Sequence, residues 1–176
     1  MFGICVQQES GPNPNYFIVM EFCEKGSLRE VLDSQSKLPW DRKARMSLDA
    51  AQGLYILHQS EEKFKVHGCI NSSKFLLRGL ELVKTETSLK KTKDRKSSSL
   101  RYSSPQQLES INHRYNKAYC LPEEVYQRVS KDKYTEPLPE DCPKQLGELI
   151  NTCRSYDSFH RPTAGVLVDK LRKVVE

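Results

Sequence analysis

Apolar residues recur along this chain in two rhythms. Near the start they form short β-branched and aromatic runs, Phe2-Gly3-Ile4-Cys5-Val6 and Tyr16-Phe17-Ile18-Val19-Met20-Glu21-Phe22, separated by Gly11-Pro12-Asn13-Pro14-Asn15. Branched and aromatic side chains suit a pleated surface and Gly, Pro and Asn mark turns, so the pattern predicts an antiparallel hairpin with a longer loop. Further on the spacing lengthens to three and four. Met46, Ala50, Leu54 and Leu57 share one face of a helix predicted from Pro39-Trp40-Asp41 to about His58. Leu146, Leu149, Ile150 and Cys153 do the same between Pro143 and Arg154, and Val166, Leu167, Leu171 and Val174 after Arg161-Pro162-Thr163. A shorter helix is predicted over Leu28 to Asp33, with Ser27 as N-cap and Glu30 three residues on completing a capping box. Ser104-Pro105-Gln106-Gln107-Leu108 starts another short helix with proline in its first turn, and Pro122 to Val129 reads as one more. The fold class is α+β and mostly α, with no internal repeat.

Composition narrows this picture. The 176 residues fit one domain, and 37% hydrophobic with 29% charged is polar but sufficient for a core. The net charge of +5 is concentrated between Lys84 and Arg101, which includes Lys90-Lys91-Thr92-Lys93-Asp94-Arg95-Lys96-Ser97-Ser98-Ser99. Such a segment cannot bury enough apolar surface to fix its backbone and is expected to be a solvated loop. Binding to nucleic acid or anionic lipid is a weaker reading, because Tyr102 is its single aromatic neighbour. Cys5, Cys23, Cys69, Cys120, Cys142 and Cys153 form no CxxC pair, which leaves neither a zinc site nor a thioredoxin-type motif. No signal peptide or membrane-length apolar run is present, so reduced thiols and a cytoplasmic location are expected.

Candidate chemistry sits in Val66-His67-Gly68-Cys69-Ile70-Asn71-Ser72-Ser73-Lys74-Phe75-Leu76-Leu77. It follows an amphipathic helix and precedes an apolar pair, where a protein kinase places H-R-D-L-x-x-x-N. The base position holds Cys69, although phosphoryl transfer needs a carboxylate there to accept the substrate hydroxyl proton. The metal-binding amide position holds Lys74, whose ammonium has no lone pair for magnesium. His67 reads as a structural residue of the loop, and Cys69 as a filler of the vacated position rather than an activated thiol.

The whole set of motifs resembles a protein kinase domain, and more closely the mixed lineage kinase domain-like pseudokinases. The resemblance rests on Phe2-Gly3-Ile4-Cys5, Val19-Met20-Glu21-Phe22-Cys23-Glu24 with its hinge at Met20, Glu21, Phe22 and Cys23, Gly26-Ser27-Leu28-Arg29-Glu30, His67-Gly68, Gly79-Leu80-Glu81, Glu140-Asp141-Cys142-Pro143 and His160-Arg161-Pro162. In that family a triplet like Gly79-Leu80-Glu81 replaces the metal-binding Asp-Phe-Gly. The resemblance implies a truncated kinase-like fold: a remnant small-lobe hairpin and hinge over 1–23, and a partial large lobe over 24–176 with an activation-loop-like segment at 82–104. The glycine-rich loop, the ATP-contacting lysine and the central large-lobe helix expected between Asn116 and Tyr126 are missing from the pattern. No room is apparent between Leu77 and Gly79 for the usual strand pair. The apolar faces around Leu54, Phe75, Leu149 and Leu167 are therefore expected to lose their common partner, leaving a marginal or partly molten fold.

Functionally the resemblance implies a catalytically inactive regulatory module of necroptotic signalling. A receptor-interacting Ser/Thr kinase would recognise it and phosphorylate Ser97, Ser98 and Ser99. No metal and no cofactor are expected in this chain, although full-length relatives bind ATP, and no nucleic-acid partner is expected. Self-association is open, and membrane action belongs to an N-terminal bundle that the pattern lacks. The competing readings are a residual ATP-binding kinase and a basic adaptor for anionic surfaces. Gln106 stands where an active kinase carries the glutamate that pairs with an arginine, here Arg161, so a plain hydrogen bond is expected in place of an ion pair.

Overall fold

The computed structural model describes residues 2–7, 14–34, 37–60, 70–79, 81–85, 106 and 127–176, with 81–85 described by backbone alone. Strands β1 (Gly3–Gln7) and β2 (Asn15–Val19) pair antiparallel from Gly3 opposite Val19 to Gln7 opposite Asn15. The expected hairpin is there, but β2 ends at Val19 rather than Phe22, and residues 25–27 go on to bond a different strand.

Gly26, at φ +68°, makes the turn that aims the chain into helix α1 (Leu28–Ser34). The left-handed backbone there is costly for any residue with a Cβ. The capping box forms as the sequence predicts. The Ser27 amide donates to Glu30 Oε2 at 2.6 Å, and the Glu30 amide donates to Ser27 Oγ at 3.3 Å. Two donors that the helix itself cannot satisfy are thereby paired.

Helix α2 (Trp40–Gln59) is the spine of the molecule. It starts behind Pro39, whose fixed φ suits an entry turn. Its buried residues are Ala44, Met46 and Ala51, whereas Ala50, Leu54 and Leu57 are half-buried. The predicted single face is therefore corrected to two, because α2 is covered on two sides. Ala44 and Ala51 join Leu146 and Leu149 of α3 (Lys144–Cys153) and Val168 and Leu171 of α4 (Ala164–Val175) in one cluster. Met46 joins Val31, Leu38 and Leu77 in another.

On α4, Ala164, Val168 and Leu171 are buried, while Val166 is 42% exposed, against the expectation that Val166 lies on the apolar side. At about 100° per residue, Val166 lies roughly 200° around the helix from Ala164. Gly165 explains the close approach of α4 to α2: a Cβ there would lie 3.2 Å from Tyr55 Cε2. Leu149 is buried in this cluster and Leu167 packs against it, whereas the position of the central helix expected between Asn116 and Tyr126 lies outside the described residues.

Strand β3 (Phe75–Arg78) pairs antiparallel with β4 (Glu81–Thr85), with a register shift between Leu76 and Leu77. No strand pair lies between Leu77 and Gly79: β3 runs to Arg78, and its partner β4 begins at Glu81, the last residue of the triplet. The first residues of the basic segment, up to Thr85, thus belong to β4. Of the helix predicted over Pro122 to Val129, residues 122–126 lie outside the described residues, and Gln127–Lys131 forms a π-helical turn that runs past Val129. The result is an α+β fold that is mostly α.

Candidate functional site

The hinge Met20-Glu21-Phe22-Cys23 leads from the hairpin to a junction with β3. Phe22 is 84% exposed, whereas Cys23 is buried with its Sγ 3.9 Å from the Glu21 carbonyl. The Gly26 amide closes a turn onto the Cys23 carbonyl at 3.0 Å. The chain then runs beside β3: the Lys25 amide donates to the Leu77 carbonyl at 3.2 Å, the Leu77 amide to the Gly26 carbonyl at 2.9 Å, and Ser27 bridges Leu76. Leu77 is fully buried beneath this junction.

Two side-chain contacts fasten the β3–β4 turn to the hinge. Arg78 forms an ion pair with Glu21, and the Gly79 amide donates to Glu24 Oε1 at 2.7 Å. The Glu24 carboxyl is held below its ordinary pKa, chiefly by its own backbone amide and next by the Gly79 amide. Gly79, at φ +62°, makes the hairpin turn, and Glu81 opens β4 opposite Arg78. Gly79 thus sits at the turn between β3 and β4. Gly79 has no side chain to offer a metal, and its amide is already used by Glu24. Leu80 lies outside the described residues, as do His67, Gly68, Cys69 and Ser97, Ser98 and Ser99.

Lys74 ends a 3-10 turn (Ser72–Lys74) that Asn71 caps, with Asn71 Oδ1 accepting from the Ser73 amide at 3.0 Å. The structure places Lys74 directly before β3 and Gly79 directly after it, so one four-residue strand separates the two residues. A cationic amine and a bare backbone amide here are donors, where magnesium requires oxygen lone pairs. Among the described residues, no three His, Cys, Asp or Glu side chains converge to hold a metal.

The hydrogen bond expected between Gln106 and Arg161 is present. Arg161 Nη2 donates to Gln106 Oε1 at 3.0 Å and to the Tyr156 carbonyl at 2.9 Å, and Nε donates to the Ser155 carbonyl at 2.8 Å. Gln106 Nε2 in turn donates to the Tyr156 carbonyl at 2.9 Å. All these acceptors are neutral, and Arg161 sits before α4 at the end of a 3-10 turn (Ser158–His160) rather than within the last helix.

With that geometry in hand, comparison with known proteins decides the family. The family described as protein tyrosine and serine/threonine kinase matches residues 1–110. The chain belongs to the protein kinase family. It is 36% identical to the human mixed lineage kinase domain-like protein over 97% of its own length, and 37% identical to the mouse one over 93%. It is also 38% identical to human guanylyl cyclase C over 39% of its length. The chain spans 43% and 41% of the two mixed lineage kinase domain-like proteins and 7% of the cyclase.

Sequence reasoning missed the two contacts that bind this kinase-family hinge to the β3–β4 turn. Glu21 and Glu24 are separated from Arg78 and Gly79 by more than fifty residues, and no local spacing announces such a pair. The one available signal was charge: Glu21 in the hinge with Glu24 just after it, and Arg78 directly before Gly79.

Proposed function

We propose that this chain is a kinase-fold module without phosphotransfer activity, acting as a surface that an activating kinase recognises and phosphorylates in necroptotic signalling. The observation that carries this reading is the turn at Gly79. The position that should aim a carboxylate at magnesium is a glycine at positive φ whose amide is tied to Glu24. Lys74, at the other end of β3, adds a positive charge where the second metal ligand belongs. Phosphoryl transfer depends on metal ions that neutralise the developing charge, so a site without these ligands loses the main source of its rate. The similarity to the mixed lineage kinase domain-like proteins supports the necroptotic setting and a receptor-interacting Ser/Thr kinase as the partner.

Phosphate incorporation tests both halves. The purified chain, incubated with radiolabelled ATP, magnesium and a generic protein substrate, should transfer no label. Magnesium-dependent turnover that disappears in Lys74→Ala would overturn the inactive assignment. A receptor-interacting kinase added to the chain should label it, and the triple substitution Ser97→Ala, Ser98→Ala, Ser99→Ala should abolish the label. Undiminished labelling of that variant would remove those serines as acceptors.

A further inference from the structure

The stretch between the π-helical turn and α3 plays no part in the proposed function. Lys133 turns it at φ +53°, a left-handed conformation that is disfavoured for any residue with a Cβ and persists where contacts on either side hold it. Both sides are held: the Tyr134 amide donates to the Arg128 carbonyl at 2.8 Å, and the Tyr156 hydroxyl donates to the Ser130 carbonyl at 3.2 Å. From 133 to 139 the chain forms neither helix nor strand and lies against α3, where a Cβ on Gly147 would come within 3.2 Å of Leu138 Cδ1. Towards the end of α3 a cleft of about 440 Å³ lies between this stretch and residues 151–156, within the size range of small-ligand sites.

Arg154, the C-cap of α3, is the cation of this cleft. Its Nη1 donates to the Glu136 carbonyl at 2.9 Å and its Nη2 to Asn151 Oδ1 at 2.6 Å, so neutral acceptors fix the guanidinium in place. Its Nε is closed off from water and bonds none of the described residues. Among those residues Arg154 has no carboxylate partner either. A guanidinium carries five N–H donors, so three are left over, and unpaired donors on a half-buried cation are costly. The hydroxyls of Thr135 and Ser155 and the Asn151 Nδ2 add further donors to the same cleft, and none of them bonds another described residue. Glu136 is the one acid in the lining, and its carbonyl rather than its carboxylate meets Arg154.

We infer that this cleft binds a carboxylate: Arg154 pairs with it, and Thr135, Asn151 and Ser155 hydrogen-bond its oxygens. A planar guanidinium meets a planar carboxylate through parallel N–H bonds, and here the fork is held before the ligand arrives, which lowers the ordering cost of binding. One positive charge beside the Glu136 carboxylate suits one negative charge, whereas a phosphate dianion would meet more repulsion from Glu136. Pro137, Leu138 and Tyr156 line the rest of the cleft and suit the carbon stem that carries the group. The carboxylate can belong to an acidic side chain of a peptide or to a peptide C-terminus, and the chemistry recognised is the same. The site depends neither on recognition by a kinase nor on phosphate at Ser97, Ser98 or Ser99.

The test follows the Arg154 Nε–Hε signal of the isotope-labelled full chain by NMR, the signal being identified by its loss in Arg154→Lys. At fixed ionic strength the chain is titrated with acetyl-Gly-Glu-Gly-amide, acetyl-Gly-Gly-Gly, the neutral acetyl-Gly-Gln-Gly-amide and inorganic phosphate. One or both carboxylate peptides should shift the signal saturably, and the one that does so names the source. Asn151→Ala removes a donor and an anchor of the guanidinium and should weaken binding roughly fivefold or more. Glu136→Gln leaves the backbone contact intact, removes the repelling charge and should tighten binding about twofold or more. Both positions are exposed, so these variants keep the fold. The absence of any saturable shift would make Arg154 a strut alone and overturn the inference. It would be overturned equally by an equal shift with the neutral peptide, by phosphate binding more tightly than either carboxylate, or by titrations unchanged in both variants.

Discussion

The β1–β2 hairpin and the packing of α2 against α3 and α4 are built from equally apolar residues, yet they use them in opposite ways. On the hairpin, Phe2 is 76% exposed, Ile4 62%, Tyr16 69% and Ile18 54%. In the helical cluster, Val168 and Leu171 are each 4% exposed. Strand pairing satisfies the backbone of the hairpin but leaves its side chains mostly exposed, and two strands alone are marginal in water. The helices, by contrast, remove their apolar stripes from water at roughly 25 cal/mol per Å². An apolar pattern thus specifies an element, while stability depends on whether another element covers it.

The largest expected effect breaks the comparison if it fails. Leu171→Ala should cost about 2–5 kcal/mol in urea unfolding, the usual range for a truncated buried leucine. Ile18→Ala, on the exposed hairpin, should stay within about 0.5 kcal/mol, as surface substitutions do. Comparable losses at the two sites would mean that the hairpin is buried in solution. Hydrogen exchange sharpens the same contrast: amides of β1 and β2 should exchange well before those in the middle of α2 and α4, because local opening there uncovers no core.

These contrasts mark what sequence could and could not reveal. The hairpin, the Ser27–Glu30 box, α2 and α3 were legible because each is set by contacts within a few residues. The two-sided burial of α2 was not, since Ala44 and Ala51 look like ordinary helix formers until α3 and α4 are seen against them. Val168 was passed over for Val166 because adjacent valines two apart give no phase without a partner. At the candidate site, Lys74 and Gly79 stand out in the sequence as candidates, but the fastening of the turn to Glu21 and Glu24 depends on long-range closure. The strained Lys133 had no signature at all in the sequence.

An effect of intermediate size belongs to the junction between the two regions. Ser27→Ala removes the N-cap of α1 and should cost about 1 kcal/mol, measured as a shift of the urea midpoint. The same pair carries a pH dependence. Bonds from the Ser27 amide and then its hydroxyl hold the Glu30 carboxyl below its ordinary value of 4.5, so the folded pKa is lower than the unfolded one. That contribution is present above about pH 4.5 and is lost as pH falls through the lowered folded value. Wild-type stability should therefore fall more steeply than that of Glu30→Gln on acidification below pH 4.5, and parallel profiles would remove this carboxylate as the cause.

The smallest effect concerns the point where the chain between β4 and the π-helical turn touches the helical region among the described residues, the Gln106–Arg161 contact at 3.0 Å. Gln106→Glu places a carboxylate against a guanidinium whose acceptors are otherwise neutral. Because Gln106 is exposed, the gain should be a few tenths to about 1 kcal/mol, well below that of a buried charge-assisted bond. It should also shrink markedly in 1 M salt, where the screening length is about 3 Å. A stabilisation indifferent to salt would point to helix propensity at position 106 as its source. Loss of stability would show that the Gln106 Nε2 bond to the Tyr156 carbonyl matters more than the charge, because glutamate cannot donate it. The neutral amide would then be a feature that holds the segment in place rather than a weakened remnant of an ion pair.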